Sequence, residues 1–185
     1  MRAVRIHEDG GPEVLVLEEA PDPTPGEGEV LVQLKASALN HLDVWIRKGL
    51  PSVPKPRILG ADGAGLVEAL GEGVDGLDTG ERVVINPGVE AGGGAIHVIG
   101  EHGDGTNAQL IAVPETNVYP IPGDLTFEEA AAFPLVFETA SDARHARRAA
   151  RGRVGADLGH RRRRRHREPR DCEGTRRAHD RHLVE

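Results

Sequence analysis

The chain has 185 residues, a formal net charge of −7, one cysteine and only 3% aromatic residues. A single cysteine excludes an internal disulfide and argues against cysteine redox chemistry. No run approaches the roughly 18 apolar residues of a membrane span, and the N-terminus lacks the form of a signal peptide, so a cytoplasmic protein with no membrane partner is expected.

The charge is unevenly divided. Residues 1–142 hold eight Lys and Arg against 24 Asp and Glu, a net of −16, whereas residues 143–185 hold 15 Arg and no Lys against six acids, a net of +9. An acidic body repels nucleic acid and favours a small-molecule or protein partner.

In chain order, residues 1–6 and 14–18 read as two strands of a hairpin, joined through the turn signal Gly10-Gly11-Pro12. Residues 29–36 alternate as a half-buried strand, with Val30, Val32, Leu34 and Ala36 on one face. Residues 41–48 have helical spacing, with Leu42, Trp45 and Ile46 able to share a face, and Gly49 stops the helix. Residues 66–70 and 82–85 are short strands bounded by glycines at 60, 63, 65, 71, 73, 80 and 88, a density that predicts tight corners with positive φ. Residues 91–105 read as a loop, and 109–113 and 117–121 as two further strands. Thr126 and Glu129 form a capping box for a helix reaching about Phe133, where Pro134 interrupts or restarts it. Short strands, glycine corners and few helices predict a mainly β fold, an irregular and mostly antiparallel β-barrel with short helices, over residues 1–140. With so few aromatics, its core must rest on Val, Leu, Ile and Ala.

Residues 141–185 form an Arg-rich tail of a different character, expected to be disordered and non-native. A nucleic-acid arm is one reading of it, but no Phe, Tyr or Trp follows Phe137, so base stacking is unsupported. The genetic code suggests another. An arginine codon of the CGN type read one base later can encode glycine, so the run Arg161 to Arg165 can hide a glycine run. With the same shift, residues 155–160 are compatible with VLILGI and the text beyond Arg161 with a helix and a second strand. Strand, glycine turn, helix and strand in that order open a dinucleotide-binding βαβ unit, so the tail reads as the out-of-frame start of a Rossmann domain.

Three stretches carry a family likeness: ALNHLDVWIRKG at 38–49, ILGADGAGLVEALGEGVDGLDTGERVV at 58–84 and LTFEEAAAFPLVF at 125–137. Together they resemble the N-terminal half of the medium-chain dehydrogenase/reductase superfamily, nearest its zinc-type alcohol dehydrogenase and quinone oxidoreductase branch. The resemblance implies a GroES-like catalytic barrel, normally followed by a Rossmann domain that binds NADP(H) or NAD(H). It implies hydride transfer between that cofactor and a small-molecule carbonyl, quinone or enone, and it is compatible with a homo-oligomer. With the cofactor domain out of frame, the chain is expected to be inactive.

Zinc members of the family have a Cys-His pair where this chain has Asn40-His41, and Gly-His-Glu where it has Gly60-Ala61-Asp62. A catalytic zinc needs about three protein ligands, and the thiolate and second imidazole are missing. The stretch matching the structural zinc lobe, 89–98, has no cysteine. No zinc is therefore expected.

The resemblance nominates Asn40 as the catalytic hydrogen-bond donor and Asp43 as the residue fixing its loop, with His41, Asp62 and Thr139 in the substrate and cofactor cleft. Plainer roles stand beside these. Asn40 can cap the helix that follows it, His41 can be a polar cap or a packed ring, Asp62 can stabilise a turn through an Asx bond, and Trp45 reads as core. His97 and His102 read as solvated loop residues. A different class of function, a non-catalytic GroES-like binding or assembly module, would use residues 91–105 as a mobile loop.

Overall fold

The computed structural model describes residues 1–141. Glycine and proline cut the apolar text into short pieces, and the elements follow those cuts: β1 (Arg2–Ile6), β2 (Val16–Glu19), β3 (Glu29–Ala38), α1 (His41–Arg47), β4 (Arg57–Ile58), β5 (Asp62–Leu70), β6 (Arg82–Ile85), β7 (Gly88–Glu90), β8 (Ile96–Val98), β9 (Leu110–Pro114), β10 (Val118–Pro120) and α2 (Phe127–Ala131). Residues 134–141 are again helical, so Pro134 restarts a helix at a first-turn position where its missing N–H costs nothing. The Arg-rich tail from residue 142 onward, with Cys172 and the out-of-frame Rossmann reading, lies outside the described residues. No helix among the described residues is long and apolar enough to cross a membrane.

The strands form a five-stranded sheet in the order β10-β6-β5-β3-β9, a three-stranded sheet β2-β1-β4 and the hairpin β7-β8. Every pairing is antiparallel, so the mainly β, antiparallel class holds. The main core lies on the large sheet, where Val30, Val32, Val83 and Ile85 are fully buried with Val67, Ile111 and Val113 around them. No aromatic side chain is among the buried hydrophobics, and the core is aliphatic as the composition requires. Burial of each such side chain stabilises by about 1.5–3 kcal/mol before entropy is counted. Ala130 and Ala131 of α2 pack with Ala64 and Val84, their short side chains letting the helix lie close to the sheet. Ile6, Ile46, Val53 and Leu59 form a separate cluster that fixes α1.

Several local expectations need correction. β3 extends to Ala38, and register shifts between Leu31 and Val32 and between Leu34 and Ala36 break strict alternation, so Leu31 is buried as well. Residues 91–105 include β8, whose register with β7 pairs Gly88 with Val98 and Glu90 with Ile96; strands of three residues are too short for periodicity to register. The two-residue β4 escapes notice for the same reason. The residues after Gly11 form a 3-10 turn, Pro12–Val14, so the second strand starts later than expected. Trp45 is 54% exposed and is not a core residue. Gly65 is not a corner glycine but lies inside β5, where a side chain would overlap the carbonyl oxygen of Gln33; it is there for close strand approach.

Candidate functional site

The site is assembled where α1 begins. Asn40 occupies the N-cap position with an extended backbone (φ −116°, ψ 161°) and forms a capping box with Asp43, each side chain turned to the other's backbone N–H. Asp43, 5% exposed, accepts the Asn40 backbone N–H on Oδ2 at 2.7 Å and the Gly60 N–H on Oδ1 at 2.9 Å. One carboxylate thus ties the start of α1 to the turn before β5. Gly60 adopts φ +101°, and a Cβ there would lie 2.6 Å from Thr106 Oγ1 and 2.9 Å from the Asn107 backbone nitrogen, so the turn admits only glycine.

Asp62 opens β5 and is 1% exposed. Its Oδ2 accepts the Asn40 side-chain Nδ2–H at 3.0 Å, its Oδ1 accepts the Leu135 backbone N–H at 2.9 Å, and its carbonyl oxygen accepts from Thr106 Oγ1 at 2.8 Å. The local Asx-turn reading is therefore wrong: the side chain bonds to distant segments. Because Pro134 has no N–H, the amide of Leu135 is the first free donor of helix 134–141, and Asp62 satisfies it from another element. Leu135, Gly60 and Thr106 carry no chemical signature in the sequence, and they enter the site through backbone groups or one hydroxyl.

Burial pushes both buried carboxyls up. For Asp43 the amides of Asn40 and Gly60 oppose the rise. For Asp62 the Asn40 amide and the Leu135 N–H oppose it, and the charge of Asp43 adds to it. In each case the folded chain keeps a proton over a pH range in which the unfolded chain has lost it. The stabilisation is complete below the unfolded value of about 3.9 and is lost as pH rises through the folded value. Asp62→Asn removes one such group, so its stability relative to wild type should improve as pH rises from about 4 to 7. Urea midpoints of both proteins across that range check this, and a pH-independent difference would contradict it.

The remaining nominated residues do not join this network. His41 is exposed, its ring tilted toward Trp45 with centroids 6.2 Å apart, so it is neither a cap nor packed inside. Thr139 is exposed and its Oγ1 donates back to the Leu135 carbonyl at 2.8 Å. His97 and His102 are exposed as expected, but they stack at 4.5 Å, and His102 Nδ1 accepts the Val98 N–H at 3.0 Å. Among the described residues no group of three or more His, Cys, Asp and Glu is placed to hold a metal ion. Each oxygen of Asp43 and of Asp62 accepts one N–H group.

Residues 26–123 match the family model of the alcohol dehydrogenase GroES-like domain. The chain belongs to this family. It is the barrel domain of medium-chain dehydrogenases/reductases, as the three motifs suggested. The Mus musculus synaptic vesicle membrane protein VAT-1 homolog-like is 37% identical over 142 residues, covering 76% of this chain and 30% of that protein. The Lama guanicoe quinone oxidoreductase is 37% identical over 144 residues, covering 76% of this chain and 39% of its own length. A solved NAD-dependent alcohol dehydrogenase superposes with a TM-score of 0.72 at 50% identity, covering 74% of this chain and 44% of that one. The chain thus spans less than half the length of these relatives.

Proposed function

We propose that this barrel is the substrate domain of a zinc-independent, NAD(P)H-dependent oxidoreductase that reduces a carbonyl, quinone or enone, and that the chain as translated is inactive because Arg161 to Arg165 stand where a pyrophosphate-binding glycine turn is expected. The observation that carries the reading is the Asn40 side chain, half-buried and anchored on Asp62 at 3.0 Å. A primary amide nitrogen has two hydrogens; one is given to Asp62, and the other can donate to the oxygen of a substrate as negative charge develops on it. Such a fixed donor does the work that a metal would otherwise do in polarising the oxygen. The neighbouring surface suits an apolar, planar substrate: Leu39 is 80% exposed and Trp45 is 54% exposed beside His41. The nicotinamide supplies the hydride when bound. By family likeness Thr139 stands near it, while the barrel orients the substrate.

The test is turnover of a frame-restored chain with NADPH and a small quinone. Asn40→Ala should lower kcat by about 10²-fold, the scale of losing one oxyanion donor. The same preparation should contain no stoichiometric zinc. An unchanged kcat in the variant, or one tightly held zinc per chain, would overturn the reading.

A further inference from the structure

We propose that Asp62 is a positioning residue that selects which end of the Asn40 amide faces the substrate, so that the cleft receives a donor and not an acceptor. The inference rests on the role given to Asn40 above. A primary amide carries two N–H donors at one end and an acceptor oxygen at the other, and the two ends exchange by a half-turn about the last side-chain bond. The capping box turns the oxygen end toward the Asp43 N–H, and Asp62 acts on the nitrogen end. An ionised carboxylate accepts only, so an Asn40 oxygen turned toward Asp62 would set two acceptors face to face in a buried place, leaving both unpaired.

Asp62 cannot turn away to relieve that conflict. Its other oxygen is held by the Leu135 N–H, its carbonyl oxygen by Thr106, and it is 1% exposed. Nor can Asn40 withdraw, because Asp43 holds its backbone N–H and is itself fixed by Gly60. The nitrogen end therefore points to Asp62. The same carboxylate caps helix 134–141, so the donor orientation and the placement of that helix are set by one group.

Asp62→Asn tests this on the chain as it stands. An asparagine at 62 has a single acceptor oxygen, which the Leu135 N–H claims, so its NH2 end faces Asn40 and no longer favours the nitrogen end there. In side-chain ¹H–¹⁵N spectra of the wild type, Asn40 should give one pair of signals, the Asp62-bonded hydrogen exchanging with water more slowly than its partner. In Asp62→Asn that pair should move and lose its slow member, while backbone amides of Val83 and Ile85 in the core keep their shifts. Unchanged Asn40 signals in the variant would overturn the proposal. Should the variant not fold, exchange in the wild type decides: both Asn40 hydrogens exchanging as fast as those of the exposed Gln109 would overturn it equally. The spectra are blind to cofactor and turnover, so this proposal and the oxidoreductase reading can fail separately.

Discussion

Gly105→Ala is expected to destabilise the barrel by about 3 kcal/mol, the upper end of the usual cost of overpacking, and to do so through the Asn40–Asp62 site. A methyl group on residue 105 would overlap the carbonyl oxygen of Gly60 and stand 2.5 Å from that of Leu59. Neither obstacle is a movable side-chain end. The two segments are locked together by backbone bonds from Gly105 N to Ile58 O, Thr106 N to Gly60 O and Asn107 N to Leu59 O, each 2.9 Å. Any retreat by Gly60 pulls on the N–H that Asp43 accepts, and Thr106, next in sequence, holds the Asp62 carbonyl. Gly103, two residues away, has nothing within 4 Å of an added Cβ and no left-handed φ. Alanine there should be neutral or stabilise by about 0.4–1 kcal/mol, by restricting the unfolded chain. Urea denaturation of the pair decides the matter: equal midpoints would mean that the close approach of 105 to 60 is not a real constraint.

What was legible in the sequence follows from how local each interaction is. The Thr126 box lies within one helical turn, with Thr126 N donating to Glu129 Oε2 at 2.9 Å and Glu129 N to Thr126 Oγ1 at 3.2 Å, so spacing alone found it. The aliphatic core was legible because composition left no other choice. At the candidate site only the residue identities could be read, and they came from family likeness. The bonds that give those residues their arrangement join Asn40 to Asp62 across 22 positions and Asp62 to Leu135 across 73, and no local pattern encodes such a distance. Trp45 was misread because a seven-residue helix offers less than two full turns. On so short a helix Trp45 and Ile46 look equally apolar, and what covers each is decided by other segments. Ile46 meets Ile6, Val53 and Leu59, whereas Trp45 remains exposed.

The 185-residue chain is expected to show no saturable binding of NADPH or NADH, while a frame-restored chain binds one of them. In the proposed reading Asn40 faces the cofactor cleft, while the Asp62 oxygens and one Asn40 hydrogen are engaged with each other and with Leu135. Pyrophosphate binding needs the backbone amides of a glycine turn at a helix N-terminus, and the translated text has Arg161 to Arg165 where the alternative frame can encode glycines. Arginine side chains attract phosphate without a defined geometry, and attraction of that kind fades as added salt shortens the screening length from about 10 Å at 0.1 M to about 3 Å at 1 M. The acidic part of the chain works against even this weak attraction, since residues 1–142 carry a net of −16. Calorimetric titration of both chains at moderate and high salt separates the cases. A weak heat that vanishes with salt is the expected behaviour of the translated chain, and a saturable, salt-resistant isotherm that of the restored one. Salt-resistant binding by the translated chain would place a cofactor site in the Arg-rich tail, and silence from the restored chain would remove the case for a hidden Rossmann domain.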